Sequence, residues 1–321
     1  MDSIPVRLRL TKMAEGLCNM SNELCGVILV NKHKGVTSHD IVFKIRKLYN
    51  TKKVGHTGTL DPLATGVLPV LIGRGAKAAE YLLSENKAYK AQIQLGITTD
   101  TEDITGKILT KSDTLPTKNE FFESIRHFVG EITQVPPMYS ALKVDGKKLV
   151  DLAREGKTVE RQGRKITIYS INAECVDESK GIYSLEVECS KGTYIRTLCA
   201  DIGAYLGCGA TMSELERTKS GSFILNNAHS IDQIEKMTIE EREALVQPIE
   251  ELFMEAPRVV LPDFYSKLCH SGCEIYQKKI KTSYPVGEFI RICDKDGFFA
   301  LGQVKNYPDG TAIKALKLFK L

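Results

Sequence analysis

The order of apolar and polar residues divides this chain into short strand-like runs and a few helical stripes. Residues 26–30 (GVILV) and 67–72 are unbroken apolar runs of strand length, as expected of strands covered on both faces. Residues 88–95 and 182–190 alternate instead. In the second, Tyr183, Leu185, Val187 and Cys189 fall on one face and Ser184, Glu186, Glu188 and Ser190 on the other, the pattern of a half-buried strand. Helical spacing appears at Ile41, Val42, Ile45, Leu48 and Tyr49, with Thr37 or Ser38 as the cap. It recurs at Phe121, Phe122, Ile125 and Val129, and at Ile195, Leu198, Cys199, Ile202 and Leu206, where Gly207 ends the stripe. A short helix is expected over residues 76–83. Residues 100–115 are polar and turn-rich, and Pro136 with Pro137 excludes helix from the stretch around them.

Towards the C-terminus the pattern changes. Residues 248–257 (PIEELFMEAP) carry two prolines and an acidic run, which marks a boundary. Beyond it FIRICD, FFALGQV and TAIKALKLF read as strands separated by the turn sequences DKDG and YPDG, a pattern that fits a small β-barrel. The expected division is an extension over residues 1–19, a main body over 20–250 and a small unit over 251–321. Residues 1–19 are basic and mildly amphipathic but include Asp2 and Glu15; they are expected to be disordered and are assigned no function, and Met20 is a candidate start. No apolar stretch has the length of a membrane span.

Composition is that of an ordinary globular protein, with 42% hydrophobic and 26% charged residues and a net charge of only +4. Its distribution says more. Residues 141–170 hold eight Lys and Arg against four Asp and Glu, and residues 252–321 hold eleven against seven, so two basic segments sit on an otherwise acidic body. That suits a polyanion gripped at two places, although solvated surface lysines give the same count. The nine cysteines are scattered with no CxxC pair; Cys269, His270 and Cys273 have no second ligand pair to complete a zinc site. Free thiols and a reducing cytoplasm are the expectation.

The stretch GHTGTLDPLATGVL at residues 55–68 breaks every pattern above. Its Gly and Thr content makes poor helix and poor strand, so it is read as a shaped loop. Pro62 pushes Asp61 out of the helical region, which points one carboxylate in a defined direction. Taken singly, an Asp before Pro is ordinarily a turn former and a lone His ordinarily structural. Arg196 is also unusual: it stands in the first turn of its helix, where a cation opposes the helix dipole, and so it calls for an anionic partner.

As a whole, GHTGTLDPLATGVLPVLIG resembles the catalytic-Asp motif of the TruB family of tRNA pseudouridine synthases. NKHKGVTSHD resembles the family's NKPxGxTSxD, with His33 in place of Pro, and QVPPMYSALK resembles its QxPPxxSAxK. The resemblance implies an α+β fold with a mixed, mainly antiparallel sheet, an RNA-gripping insertion near residues 100–165 and a C-terminal PUA-like β-barrel. It implies isomerisation of the T-loop uridine at position 55 of tRNA: the bond from ribose C1′ to N1 breaks, the base turns, and C5 takes its place. Asp61, Tyr89 and Arg196 would be catalytic. Asp61 could attack C1′, attack the ring or remove the 2′ proton; Arg196 would keep it ionised, and Tyr89 would pack against the base and assist proton removal from C5. His56, Lys32, Tyr194, Leu215 and Lys143 would bind the extruded nucleotide and its RNA. The implied partner is the tRNA T arm, with no cofactor, metal, membrane or protein partner, a monomeric state and a cytoplasmic location. Two alternatives remain open: a guide-RNA-dependent rRNA pseudouridine synthase, and a tRNA-binding chaperone with a decayed site.

Overall fold

The computed structural model describes residues 24–81, 86–144 and 146–320; the extension over residues 1–19 lies outside them. The body is built on one large mixed sheet. Strand β1 (Gly26–Lys32) pairs antiparallel with β3 (Thr65–Ile72), and β2 (Val54–His56) lies antiparallel along the opposite edge of β3. Strands β4 (Lys87–Leu95), β10 (Arg164–Asp177), β11 (Ile182–Cys189) and β12 (Ala210–Ser220) form a second antiparallel block in the order β12-β4-β11-β10, with β7 (Gly130–Gln134) at its edge. The two blocks join where β3 runs parallel to β12, over the pairs Thr65↔Glu216 and Gly66↔Arg217. The central strands β1 and β3 are buried almost throughout, which accounts for their unbroken apolar runs.

Helix α1 (Ser38–Leu48) starts at Thr37, whose side chain forms a capping box with Asp40. Helix α2 (Lys118–Arg126) has the same device in Thr117 and Glu120, and it ends before Val129, which is exposed. Helix α4 (Ile195–Tyr205) follows the short α3 (Leu149–Arg154) and stops at Gly207, which takes the left-handed φ of 75° that a Cβ would oppose. Residues 73–81 form a 3-10 run rather than the expected α-helix. Several sheet elements were not visible in the pattern: β2, β7, β10, β12 and the hairpin β5 (Ile97–Thr99) with β6 (Ile108–Lys111), which lies inside the polar, turn-rich stretch.

The C-terminal unit is a curled sheet of five strands, half a barrel rather than a closed one. Its hairpins turn where expected, at Asp294↔Gly297 and Tyr307↔Gly310. It shares a hydrophobic core with the body: Val27, Leu29, Val67 and Leu71 of the large sheet pack with Phe253, Phe298, Leu301 and Phe319. Ile249, Leu252 and Phe253 of the proline-bounded segment are part of that shared core.

Candidate active site

The loop between β2 and β3 carries Asp61, and local bonds fix its shape. The Ser38 hydroxyl donates to the Leu60 carbonyl at 3.0 Å and accepts from the Leu60 amide at 2.8 Å. The Ala64 amide donates to the Asp61 carbonyl at 3.0 Å, and the Gly35 amide to the Pro62 carbonyl at 2.8 Å. Gly66 closes the loop with φ 106°; a Cβ there would run into the Arg217 backbone across the parallel join.

Arg196 reaches this loop from the first turn of α4. Its Nε lies 3.0 Å from Asp61 Oδ2. Nη1 donates to the Thr101 carbonyl at 2.8 Å and Nη2 to the Tyr139 carbonyl at 2.9 Å. The arginine side chain is 4% exposed and the Asp61 side chain 37%, so the cation is locked in the wall and the carboxylate faces the opening. A second carboxylate, Asp103, stands 3.7 Å from Nη1. It accepts from the Thr101 hydroxyl at 3.0 Å and the Thr105 amide at 2.9 Å. Arg196 is expected to keep Asp61 ionised, and its charge does favour the carboxylate; burial in the cleft outweighs it and pushes the carboxyl above the usual carboxylate range, with Lys32 also opposing that push and Asp103 adding to it.

The floor of the site is the sheet. Tyr89 on β4 is directly opposite Arg217 on β12, and Ala91 is opposite Leu215. Tyr89 is buried; burial pushes its phenol upward and the Arg217 guanidinium works against that. Tyr194 precedes α4, held by Gln134, whose side-chain amide accepts from the Tyr194 amide at 2.8 Å and donates to its carbonyl at 3.1 Å. Asp61, Tyr89, Tyr194, Arg196 and Leu215 line one cleft of about 320 Å³. That volume suits a single nucleotide.

The remaining expected contacts lie elsewhere. His56 ends β2, outside the cleft lining, with Nδ1 unpartnered among the described residues; burial lowers its pKa and keeps it neutral. Lys143 is exposed on the short hairpin of β8 (Lys143–Val144) and β9 (Lys147–Lys148), and its neighbour Leu142 lines the cleft. The expected substrate-binding Lys32 is turned inward. It has no exposed surface, and its Nζ donates to the Val36 carbonyl at 2.8 Å and the His33 carbonyl at 3.1 Å, with the Pro62 carbonyl at 3.5 Å. Burial pulls its ammonium down to about 8, against the attraction of Asp61. Its work is to tie the β1–α1 loop to the Asp61 loop.

Asp103, Gln134 and Arg217 were missed. Asp103 is one of three acids in DTED, and nothing in that string marks which is buried; Glu102, with φ 63°, was the only backbone clue, and it is visible only in the structure. Among the described residues no group of three or more His, Cys, Asp or Glu is arranged to hold a metal ion.

Comparison with known proteins shows which family the chain resembles in sequence and fold. Residues 46–195 match the family model described as TruB family pseudouridylate synthase (N terminal domain), and residues 196–254 match that of the tRNA pseudouridylate synthase B C-terminal domain. The chain is 43% identical over 279 residues to the tRNA pseudouridine synthase B of Clostridium tetani, covering 87% of this chain and 95% of that protein. It is 42% identical to the protein of the same name from Francisella tularensis, covering 87% and 91%. Among solved structures it is similar to a chain of a Cbf5-Nop10-Gar1 complex, with TM-score 0.71 and 27% identity over 93% of this chain and 85% of that one.

Proposed function

The chain belongs to the TruB family of pseudouridylate synthases and is an enzyme that isomerises uridine in tRNA; on that premise we propose that its target is the T-loop uridine at position 55, acted on by Asp61. The observation that carries this reading is the Asp61–Arg196 pair, 3.0 Å apart at the mouth of a nucleotide-sized cleft. The uridine leaves the RNA stack and enters the cleft between Tyr89 and Leu215, with Tyr194 alongside. The Asp61 carboxylate meets the sugar–base junction, where the C1′–N1 bond breaks; after the base turns, C5 bonds to C1′ and loses its proton. No electron is gained or lost overall. Arg196 fixes the direction of the carboxylate by spending its three nitrogens on three separate chain segments, which supplies orientation rather than charge alone.

The basic hairpin around Lys143 and the curled C-terminal sheet are the surfaces expected to hold the rest of the tRNA. We further propose a monomer that acts without a protein partner in the cytoplasm; no described helix is long and apolar enough to cross a membrane. The likeness to a Cbf5 chain gives a second reading, dependence on a guide RNA, but relatives named tRNA pseudouridine synthase B are far more similar, at 43% against 27% identity. The test is purified protein on a bare T-arm hairpin and on whole tRNA, with the modified position mapped. One pseudouridine at the T-loop uridine of both is expected, and none from Asp61→Asn, which still binds. No product on the hairpin without added RNA or protein would refute the stand-alone reading; undiminished product from Asp61→Asn would refute the role of Asp61.

A further inference from the structure

Arg217 heads the fully buried side chains by size, yet none of the chemistry above uses it. A guanidinium is costly to take out of water and persists where its donors are met. From the middle of β12 its Nε donates to the Val67 carbonyl at 2.8 Å and its Nη2 to the Gly58 carbonyl at 3.1 Å. Those carbonyls stand on the two limbs of the segment that carries Asp61, one on each side of it. One planar fork therefore closes that loop at its base, a task for which a lysine ammonium has the wrong shape.

The remaining terminal nitrogen, Nη1, has no hydrogen-bond partner among the described residues. Gly58 lies beside it, close enough that a Cβ at that position would be in ordinary contact with Nη1 at 3.5 Å. Tyr89 is directly opposite on the neighbouring strand, and Arg217 is the charge that acts most strongly on its hydroxyl. A guanidinium can only donate. Any hydrogen bond between the two therefore runs from the guanidinium to the phenol oxygen and leaves the phenol O–H free for another acceptor.

We propose that Arg217 is a positioning residue of the isomerisation: a single guanidinium that fixes the Asp61 loop and the Tyr89 hydroxyl relative to each other. It acts through those two residues without touching the nucleotide, and so the inference rests on the roles proposed for them above. The two carbonyls it binds come from the β3 block, and Tyr89 comes from the β12 block. Arg217 thus spans the parallel join between them.

The experiment is a double-mutant cycle in single turnover at saturating protein, with tritium released from tRNA labelled at uridine C5 as the readout and tRNA binding measured in parallel. Arg217→Lys, which keeps the charge but cannot span both carbonyls, is expected to lose about 10²-fold in rate at unchanged tRNA affinity, the scale of a small misplacement of reacting groups. In a Tyr89→Phe background the same change is expected to cost clearly less, because its partner hydroxyl is already gone. Should Arg217→Lys fail to fold, Arg217→Gln, which buries no unpaired cation, carries the same cycle. A folded Arg217 variant that reacts at the wild-type rate, or one whose loss is the same with and without the Tyr89 hydroxyl, overturns the proposal. Wild-type protein that releases no tritium would instead refute the reaction itself, so the two failures are distinguishable.

Discussion

Replacing Arg196 by lysine is the sharpest test of how the site is held. The wild-type guanidinium serves three partners from three segments: Asp61 at 3.0 Å, the Thr101 carbonyl at 2.8 Å and the Tyr139 carbonyl at 2.9 Å. An ammonium carries its donors on one atom and cannot reach all three. If it stays with Asp61, two carbonyls lose a charged donor. Each group left unsatisfied in a buried site costs about 1–3 kcal/mol, and water entering from the cleft offsets part of that, so a loss of about 2 kcal/mol in folding stability is expected. The rate should suffer more. A carboxylate whose cation is no longer anchored to the two carbonyls shifts by about an ångström, and misplacement or loss of one oriented donor costs about 10²–10³-fold. The assay is single-turnover tritium release from C5-labelled tRNA, with urea unfolding and tRNA binding measured on the same preparation. A folded Arg196→Lys protein that binds tRNA normally and reacts within tenfold of wild type would refute the claim that orientation, rather than charge, is what Arg196 contributes.

Three further expectations follow from the same geometry. Because burial raises the Asp61 carboxyl, its charge is lost earlier as pH falls; the acid limb of kcat/KM should therefore lie above the usual carboxylate range, and a limb at or below that range would contradict the burial argument. Lys32 is lowered to about 8, so between about pH 8 and the ordinary lysine value the unfolded chain binds more protons than the folded one. Folding stability contributed by this residue should rise with pH across that window, which a wild-type minus Lys32→Met difference in unfolding free energy would reveal; a flat difference would count against it. Gly66→Ala should cost more than about 1 kcal/mol and lower the soluble yield, since it combines a left-handed φ with a collision against the Arg217 backbone; an unchanged unfolding midpoint would contradict it.

Much of the frame was legible from periodicity because burial there is one-sided and regular. Strand β11 alternates cleanly, α1 and α4 carry complete stripes, and both C-terminal hairpins announce their turns. Strand β12 was hidden for a physical reason. Its sequence ATMSELERTKS reads as surface, yet it lies at the centre of the sheet, and its one arginine is sealed inside because it has carbonyls to bind there. The same confusion explains the errors at the site. Asp61, Tyr89, Arg196, Tyr194 and Leu215 were reached through motif resemblance and do share one cleft. Asp103 and Arg217 are charged groups with partners on distant segments, Arg196 for the first and the Gly58 and Val67 carbonyls for the second, and a linear pattern treats every such residue as solvent-facing. The raised Asp61 carboxyl was not legible either: the sequence offered a cation nearby but no measure of how far the cleft walls would desolvate the carboxylate.

The parallel join between β3 and β12 is only two residue pairs wide. Asp61 belongs to one bank of that seam, whereas Tyr89, Arg196 and Leu215 belong to the other. Catalytic alignment is thus a property of how two half-sheets dock, and every residue that stitches the banks together acts as a tuning screw for turnover. A substitution under the seam, out of sight of any nucleotide, should slow the enzyme while leaving its grip on RNA intact.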